Sequence, residues 1–391
     1  MNQTRSAAPG RRPAARRRPR PARASLLLAL LVALAAIALG PGAGAQPSQT
    51  AASSRVVWAA VEEDLVYRST DGGEHWVAAS KGLPRGGVEA LCPLLVNRSA
   101  PQVAYVVMTG NLYKTTDGGQ SWRRVFRGVG CGDGGTVAID PRQPQLVYVS
   151  GNGLFRSRDG GGHWQDLGAR LCEIPRGYCA PRSAAGTPDH LLVDPRNANV
   201  MYGFWHGVSK STDGGRTWYP TWRPSGVKSR CASPFEYTHI CSPTGLALVL
   251  DPRHPSVLYA GEESGGGSVY KSTDAGRNWV QVRRKLYVHG LAVDPKHSNV
   301  VWAAGFTSGL GALVVDKSTD GGRTWVTKLR KPRSSGDCDF LRLAIDPGSP
   351  STVYVGCAGV LKTTDGGATW AQKNSGLPRE PPPIIDALAV E

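Results

Sequence analysis

Seven copies of one short motif recur along the chain, and their spacing constrains the fold more than any other feature. Each copy reads Ser/Thr-x-Asp-Gly/Ala-Gly-x-x-Trp. The aspartates are Asp71, Asp117, Asp159, Asp213, Asp274, Asp320 and Asp365, and a tryptophan lies five residues after each: Trp76, Trp122, Trp164, Trp218, Trp279, Trp325 and Trp370. Successive aspartates are separated by 46, 42, 54, 61, 46 and 45 residues. A self-similar period in the forties is that of a propeller blade, about 40–50 residues folded as four strands. The expected fold is all-β: a seven-bladed β-propeller of four-stranded antiparallel blades.

One blade can be read from Gly290 to Lys328. Leu291-Ala292-Val293 is an apolar strand, and Asp294-Pro295 turns the chain, because proline presets the backbone and aspartate accepts from nearby amides. Val300 to Ala304 and Leu313 to Ser318 follow as strands, and the motif at Asp320 forms the hairpin into the outer strand at Thr324-Trp325-Val326. The Asp-Pro turn recurs at Asp140, Asp194, Asp251 and Asp346. The first repeat begins at Val56-Val57-Trp58-Ala59-Ala60, a second strand without its innermost partner, and Ile385 to Glu391 reads as an innermost strand with nothing after it. The C-terminal stretch is therefore expected to close the ring, which removes the exposed edge of an open one.

Residues 1–45 stand apart. Eight arginines and no acid precede an apolar run from Leu26 to Leu39, followed by Ala43-Gly44-Ala45. That order is the pattern of a cleaved secretory signal, and the run falls short of the about 20 residues that span a bilayer. Residues 46–54 read as a linker and 55–391 as the propeller, with no membrane span left after cleavage. The whole chain carries +16, and without the eight arginines 38 basic residues face 30 acidic ones. An excess of +8 fits an acidic partner, and no nucleic-acid module signature is present. There is no Cys-x-x-Cys and no histidine pair at ligand spacing, so neither metal nor cofactor is implied. The expected state is a monomer.

Eight cysteines in an exported chain read as disulfides, with 105 pairings formally open. Cys172/Cys179 and Cys231/Cys241 are near enough in sequence to close local loops. Cys338 precedes the innermost strand of blade seven and Cys357 ends the strand beside it, which leaves Cys92 with Cys131.

The motif resembles the Asp-box, or bacterial-neuraminidase repeat, over residues 55–391. Ala275 replaces the first glycine in one copy, and Arg158 and Gly162 alter another. Sialidases, two-propeller xyloglucan-cleaving glycosidases, sortilin-type receptors and photosystem II assembly factors carry such boxes. In blade number, size and Leu-Ala-Val-Asp-Pro phrasing the chain resembles the last of these and exported repeat proteins like them. The resemblance implies a structural box on a peripheral hairpin, away from the active face. The chemistry of the motif leads to the same place: its aspartate accepts amides within the turn, its glycines supply positive φ and its tryptophan packs between blades.

With the Asp-Pro turns and motif hairpins on one side, the inter-blade connections and the turns from second to third strand fall on the other. Two connections there are long, from Gln165 to Asp189 and from Pro220 to Thr244, and loops of that length in a compact repeat are often functional. They carry the candidate ligand-binding residues Arg176, Tyr178, Arg182, Trp222, Arg223, Arg230, Tyr237 and His239, with Trp205 and His206 of blade four between them. A basic rim of Arg283, Arg284, Lys285, Arg330, Lys331 and Arg333 lies on neighbouring connections. A sialidase would need three arginines, a Tyr/Glu pair and an acid. Arg342 and Glu236-Tyr237 supply only fragments, and Ile174-Pro175-Arg176 is a poor echo of Phe-Arg-Ile-Pro. Another glycoside hydrolase could pair Asp337 or Asp339 with Glu262 or Glu263. The reading reached is an exported binding propeller for a protein or glycan ligand, with glycoside hydrolysis as the alternative.

Overall fold

The structure is a computed structural model. It describes residues 55–61, 65–84, 93–129, 136–151, 153–172, 179–180, 188, 190–204, 207–222, 247–262, 266–307, 311–333, 341–379 and 383–391, and for 171–172 and 179–180 the backbone alone. These residues form seven blades in a ring, each built on four antiparallel strands in sequence order from the axis outward, with two further strands added to the fourth. The first blade is the exception in order. Its innermost strand, Ile385–Val390, pairs with Val57–Val61 and closes the ring, with Val57 opposite Val390 and Ala60 opposite Ala387.

The second strands read as unbroken apolar runs because they are covered on both faces, each by a neighbouring blade. Val57–Val61, Ala104–Met108, Val147–Gly151 and Val353–Cys357 are buried at every position. Cys357 ends its strand and is disulfide-bonded.

The seven motif hairpins share one local chemistry. In the Asp117 copy the Thr115 hydroxyl donates to the Asp117 carboxylate at 2.7 Å and accepts from the Gly119 amide at 2.9 Å. The same carboxylate accepts the Ser121 amide at 2.9 Å and the Ser121 hydroxyl. The Ser121 hydroxyl and amide hold the Asp117 carboxyl well below its usual range, at about 2. Gly118 and Gly119 take φ of 72° and 87°, where a side chain is strained, and Ala275 accepts that strain at φ 61°. The tryptophans point back to the preceding blade: Trp122 Nε1 donates to Ala79 O at 2.6 Å and Trp370 Nε1 to Lys328 O at 3.1 Å.

A second inter-blade device runs the other way. An aromatic residue on each second strand faces a cation on the third, as in Tyr105 opposite Lys114, Tyr259 opposite Lys271 and Tyr354 opposite Lys362. The ammonium lies over the ring, 5.4 Å from the Tyr259 centroid for Lys271. Phenol and ammonium then donate to a single motif carbonyl of the next blade. Tyr105 Oη and Lys114 Nζ reach Gly160 O at 2.9 and 2.7 Å, and Tyr259 Oη and Lys271 Nζ reach Gly321 O at 3.1 and 2.7 Å.

Two elements depart from the expected blade. Blade six stands taller, with strands Leu286–Val293, Val301–Thr307, Ala312–Ser318 and Val326–Pro332. A register shift at His289 lets pairing continue to Leu286 opposite Thr307, because Leu286 and Val288 bury fully beneath the extension. The connection from Gln165 is not wholly a loop. Gln165–Asp166 is the outer strand of blade three, and Arg170–Cys172 then joins the outer edge of blade four in parallel, with Arg170 opposite Thr217. Cys179–Ala180 returns antiparallel, with Cys179 opposite Cys172, so blade four has six strands. Added strands cover the polar edge that Thr217–Trp222 would otherwise present.

Candidate functional site: the inter-blade-loop face

The motif hairpins and the turns between first and second strands share one end of every blade. The first glycine amide of the motif donates to a carbonyl in that turn, as in Gly118 N to Gln102 O at 2.9 Å, Gly160 N to Gln145 O at 2.8 Å and Gly366 N to Ser351 O at 2.9 Å. The inter-blade connections and the remaining turns therefore emerge at the opposite end, the face expected to bind.

Most residues proposed for that face from sequence lie outside the described residues: Arg176, Tyr178, Arg182, Trp205, His206, Arg223, Arg230, Tyr237 and His239. So do Cys92, Cys131, Cys231, Cys241, Cys338, Glu236, Glu263, Asp337 and Asp339. Trp222 is described. It ends the outer strand of blade four and packs 4.6 Å from the Tyr270 ring and 5.3 Å from the Trp279 ring of blade five. The indole fills the seam between those blades, which already explains an aromatic residue at the start of the connection.

The basic rim divides into anchored and exposed members. Arg283 reaches across to blade six, where its Nε lies 2.8 Å from the buried Asp316 carboxylate, which also accepts the Thr327 hydroxyl at 2.7 Å. The Arg333 guanidinium lies over the Phe306 ring at 4.8 Å. Arg284, Lys285, Arg330 and Lys331 are exposed. They bracket the raised edge of blade six. Lys285 precedes its innermost strand and Lys331 lies near the end of its outermost, roughly 14 Å away across three strand spacings.

Glu262 ends the second strand of blade five on the same face and is only 1% exposed. Its Oε1 accepts the Tyr270 hydroxyl at 3.1 Å, while Oε2 is buried without a hydrogen bond. Burial pushes the carboxyl up to about 7. Enclosed in this way, the Glu262 carboxyl is held inside the blade and does not face a groove, while its alternative, Glu263, lies outside the described residues. On the innermost strands, Arg342 donates from Nε to Asp386 O, and burial pushes His190 down to about 4, with the Arg342 charge adding to the effect.

The fold has counterparts among solved structures. It superposes on the GH74 enzyme of Niastella koreensis with a TM-score of 0.54 and 20% sequence identity, over 75% of this chain and 47% of the enzyme. The chain thus spans about half the length of that relative. YCF48 bound to a D1 peptide aligns at 18% identity and a TM-score of 0.49, over 80% of this chain and 92% of that one. YCF48 from Cyanidioschyzon merolae aligns at 16% identity and a TM-score of 0.46, over 75% and 87%. No protein-family model and no curated protein matches the sequence. Likeness at these identities is likeness of fold.

Proposed function

We propose that this chain is an exported, non-catalytic binding propeller that holds a protein or glycan ligand on its inter-blade-loop face. Residues 1–45 serve as the export signal in this reading, residues 46–54 as a linker, and disulfides pin the long connections. The observation that carries it is the exposed set Arg284, Lys285, Arg330 and Lys331 around the raised edge of blade six. Four cations on a rigid edge raise the local concentration of an acidic ligand and orient it. Rigidity matters because a preformed surface loses little conformational freedom on binding.

Glycoside hydrolysis is the second reading, supported by the fold shared with a GH74 enzyme. It requires two carboxyl groups about 5–5.5 Å apart for retention or about 6.5–9.5 Å apart for inversion. Enclosure of Glu262 weighs against the pair nearest to hand. A glycan and acidic-peptide array, read for retention and for released reducing sugar, tests both readings. Retention without turnover supports binding, and turnover of a retained glycan overturns it.

A further inference from the structure

The motif-side end of the ring holds a second feature, independent of the inter-blade-loop face. Innermost strands from all seven blades line an axial cavity of about 490 Å³. That lies within the range of about 300–1,000 Å³ usual for small-molecule pockets. Its wall is aliphatic, with Leu95, Leu192, Val249, Ala292, Leu343 and Leu388 contributed by six different blades. Arg98 and Asp140 are the charged residues among those lining it. Asp140 is 2% exposed, and its Oδ1 accepts the Arg142 and Gln143 amides at 2.8 and 3.0 Å, so its charge serves its own turn.

Cations stand at the mouth on five of the seven blades. The prolines Pro141, Pro195, Pro252 and Pro295 line the cavity, and each is followed by a cation: Arg142, Arg196, Arg253 and Lys296. All four are exposed. Each donates sideways to a backbone carbonyl of the next turn, Arg142 to Arg196, Arg196 to Arg253, Arg253 to Lys296 and Lys296 to Gly348. These bonds hold the side chains in a bracelet and leave most guanidinium donors unused. No carboxylate pairs with any of the four among the described residues. Blade two breaks the turn pattern in the same direction. Asn97 replaces the aspartate, and the exposed Arg98 takes the place of the proline.

An aliphatic tube with a cationic collar matches one ligand chemistry. We propose that the axial cavity and its collar bind a single-chain amphiphile with an anionic head, the chain lying along the axis and the head among Arg98, Arg142, Arg196, Arg253 and Lys296. The aliphatic wall rewards each methylene removed from water, and guanidinium groups bind carboxylate or phosphate in a bidentate manner. Carboxylate and phosphate heads are both compatible with the collar.

The test is calorimetric titration of the purified protein with dodecyl phosphate and with dodecanoate, below their micelle concentrations. One molecule of at least one of them should bind per chain. Shortening the chain by two methylenes should weaken it about tenfold. Dodecyltrimethylammonium and inorganic phosphate should each bind at least tenfold more weakly. The triple variant Arg98→Ala, Arg196→Ala, Arg253→Ala should lose at least tenfold in affinity while keeping the melting temperature, since all three side chains are exposed. Absence of saturable binding by both anionic amphiphiles overturns the proposal. So does equal binding of the cationic amphiphile or of phosphate alone. These wild-type comparisons decide the matter even if the triple variant fails to fold.

Discussion

Lys362 of the seventh blade donates from Nζ to the carbonyl oxygen of Gly72 in the first blade, at 2.7 Å. Tyr354 Oη donates to the same oxygen at 2.9 Å, and Lys362 also pairs with Glu74 at 2.9 Å. This is the lacing found between Tyr105, Lys114 and Gly160, now spanning the seam where the chain's two ends meet. A propeller ring is only as stable as that seam, because opening it exposes two faces of core at once.

Replacing Lys362 with methionine keeps the stem over Tyr354 and removes the charge-assisted bonds. We expect a loss of about 2 kcal/mol in urea unfolding, and about 1 kcal/mol for Tyr354→Phe. Because the two donors share one acceptor, the double variant should fall short of the sum. Additive losses would show that the two side chains act independently.

Deleting residues 385–391 removes the innermost strand of the first blade and uncovers Val57–Val61. Ile385 and Val390 lie in one apolar cluster with Val57, Ala59 and Trp76. The truncated protein should aggregate or melt far below the intact one. A truncated form that melts with the intact protein would mean the ring is closed by other contacts.

Glu262 makes stability depend on pH in a definite direction. Its folded pKa, about 7, lies above the ordinary carboxyl value, so the folded state binds the proton more tightly. Its contribution is fully present below about pH 4 and is lost as pH rises through 7. Glu262→Gln should therefore raise the melting temperature at pH 8 by more than at pH 5. A shift of equal size at both values would contradict burial as the cause.

Peptide mapping without reduction should recover Cys172–Cys179, Cys231–Cys241, Cys338–Cys357 and Cys92–Cys131. The backbone places Cys172 directly opposite Cys179, and Cys357 is bonded. Neighbouring strands bring such positions within the about 4.4–6.8 Å that a disulfide spans between Cα atoms. A free thiol at Cys357, or a link from it to another cysteine, would break the scheme.

What could be read from sequence was local. The motif hairpins carry their own donors and acceptors within six residues, so their turn geometry and the blade count followed from spacing alone. Four features did not follow, and each depends on contacts across blades. The lysine just before five of the motifs, Lys114, Lys210, Lys271, Lys317 and Lys362, is plain in the sequence, but its acceptor belongs to the next blade. The cations after four Asp-Pro turns are equally plain, yet linear order does not show that those turns surround one mouth. Arg170–Cys172 pairs with an edge some 47 residues on, which no local signal marks. Trp222 read as a binding aromatic because it begins a long connection, whereas its neighbours Tyr270 and Trp279 come from another blade.

Ligand binding is assigned to one face of the ring and hairpin stability to the other, and one comparison tests that division directly. Three proteins are screened on the same glycan and acidic-peptide array: the wild type, a rim variant with Arg284, Lys285, Arg330 and Lys331 changed to glutamate, and Asp213→Asn. Asp213 accepts the Thr217 and Arg216 amides at 2.9 and 3.0 Å within its hairpin, so its variant should lose about 1 kcal/mol of stability. The prediction is that the rim variant melts normally and loses the ligand, while Asp213→Asn melts lower and retains it, with no sugar released by any of the three. Loss of the ligand by Asp213→Asn with retention by the rim variant would place the function on the motif face and contradict the account.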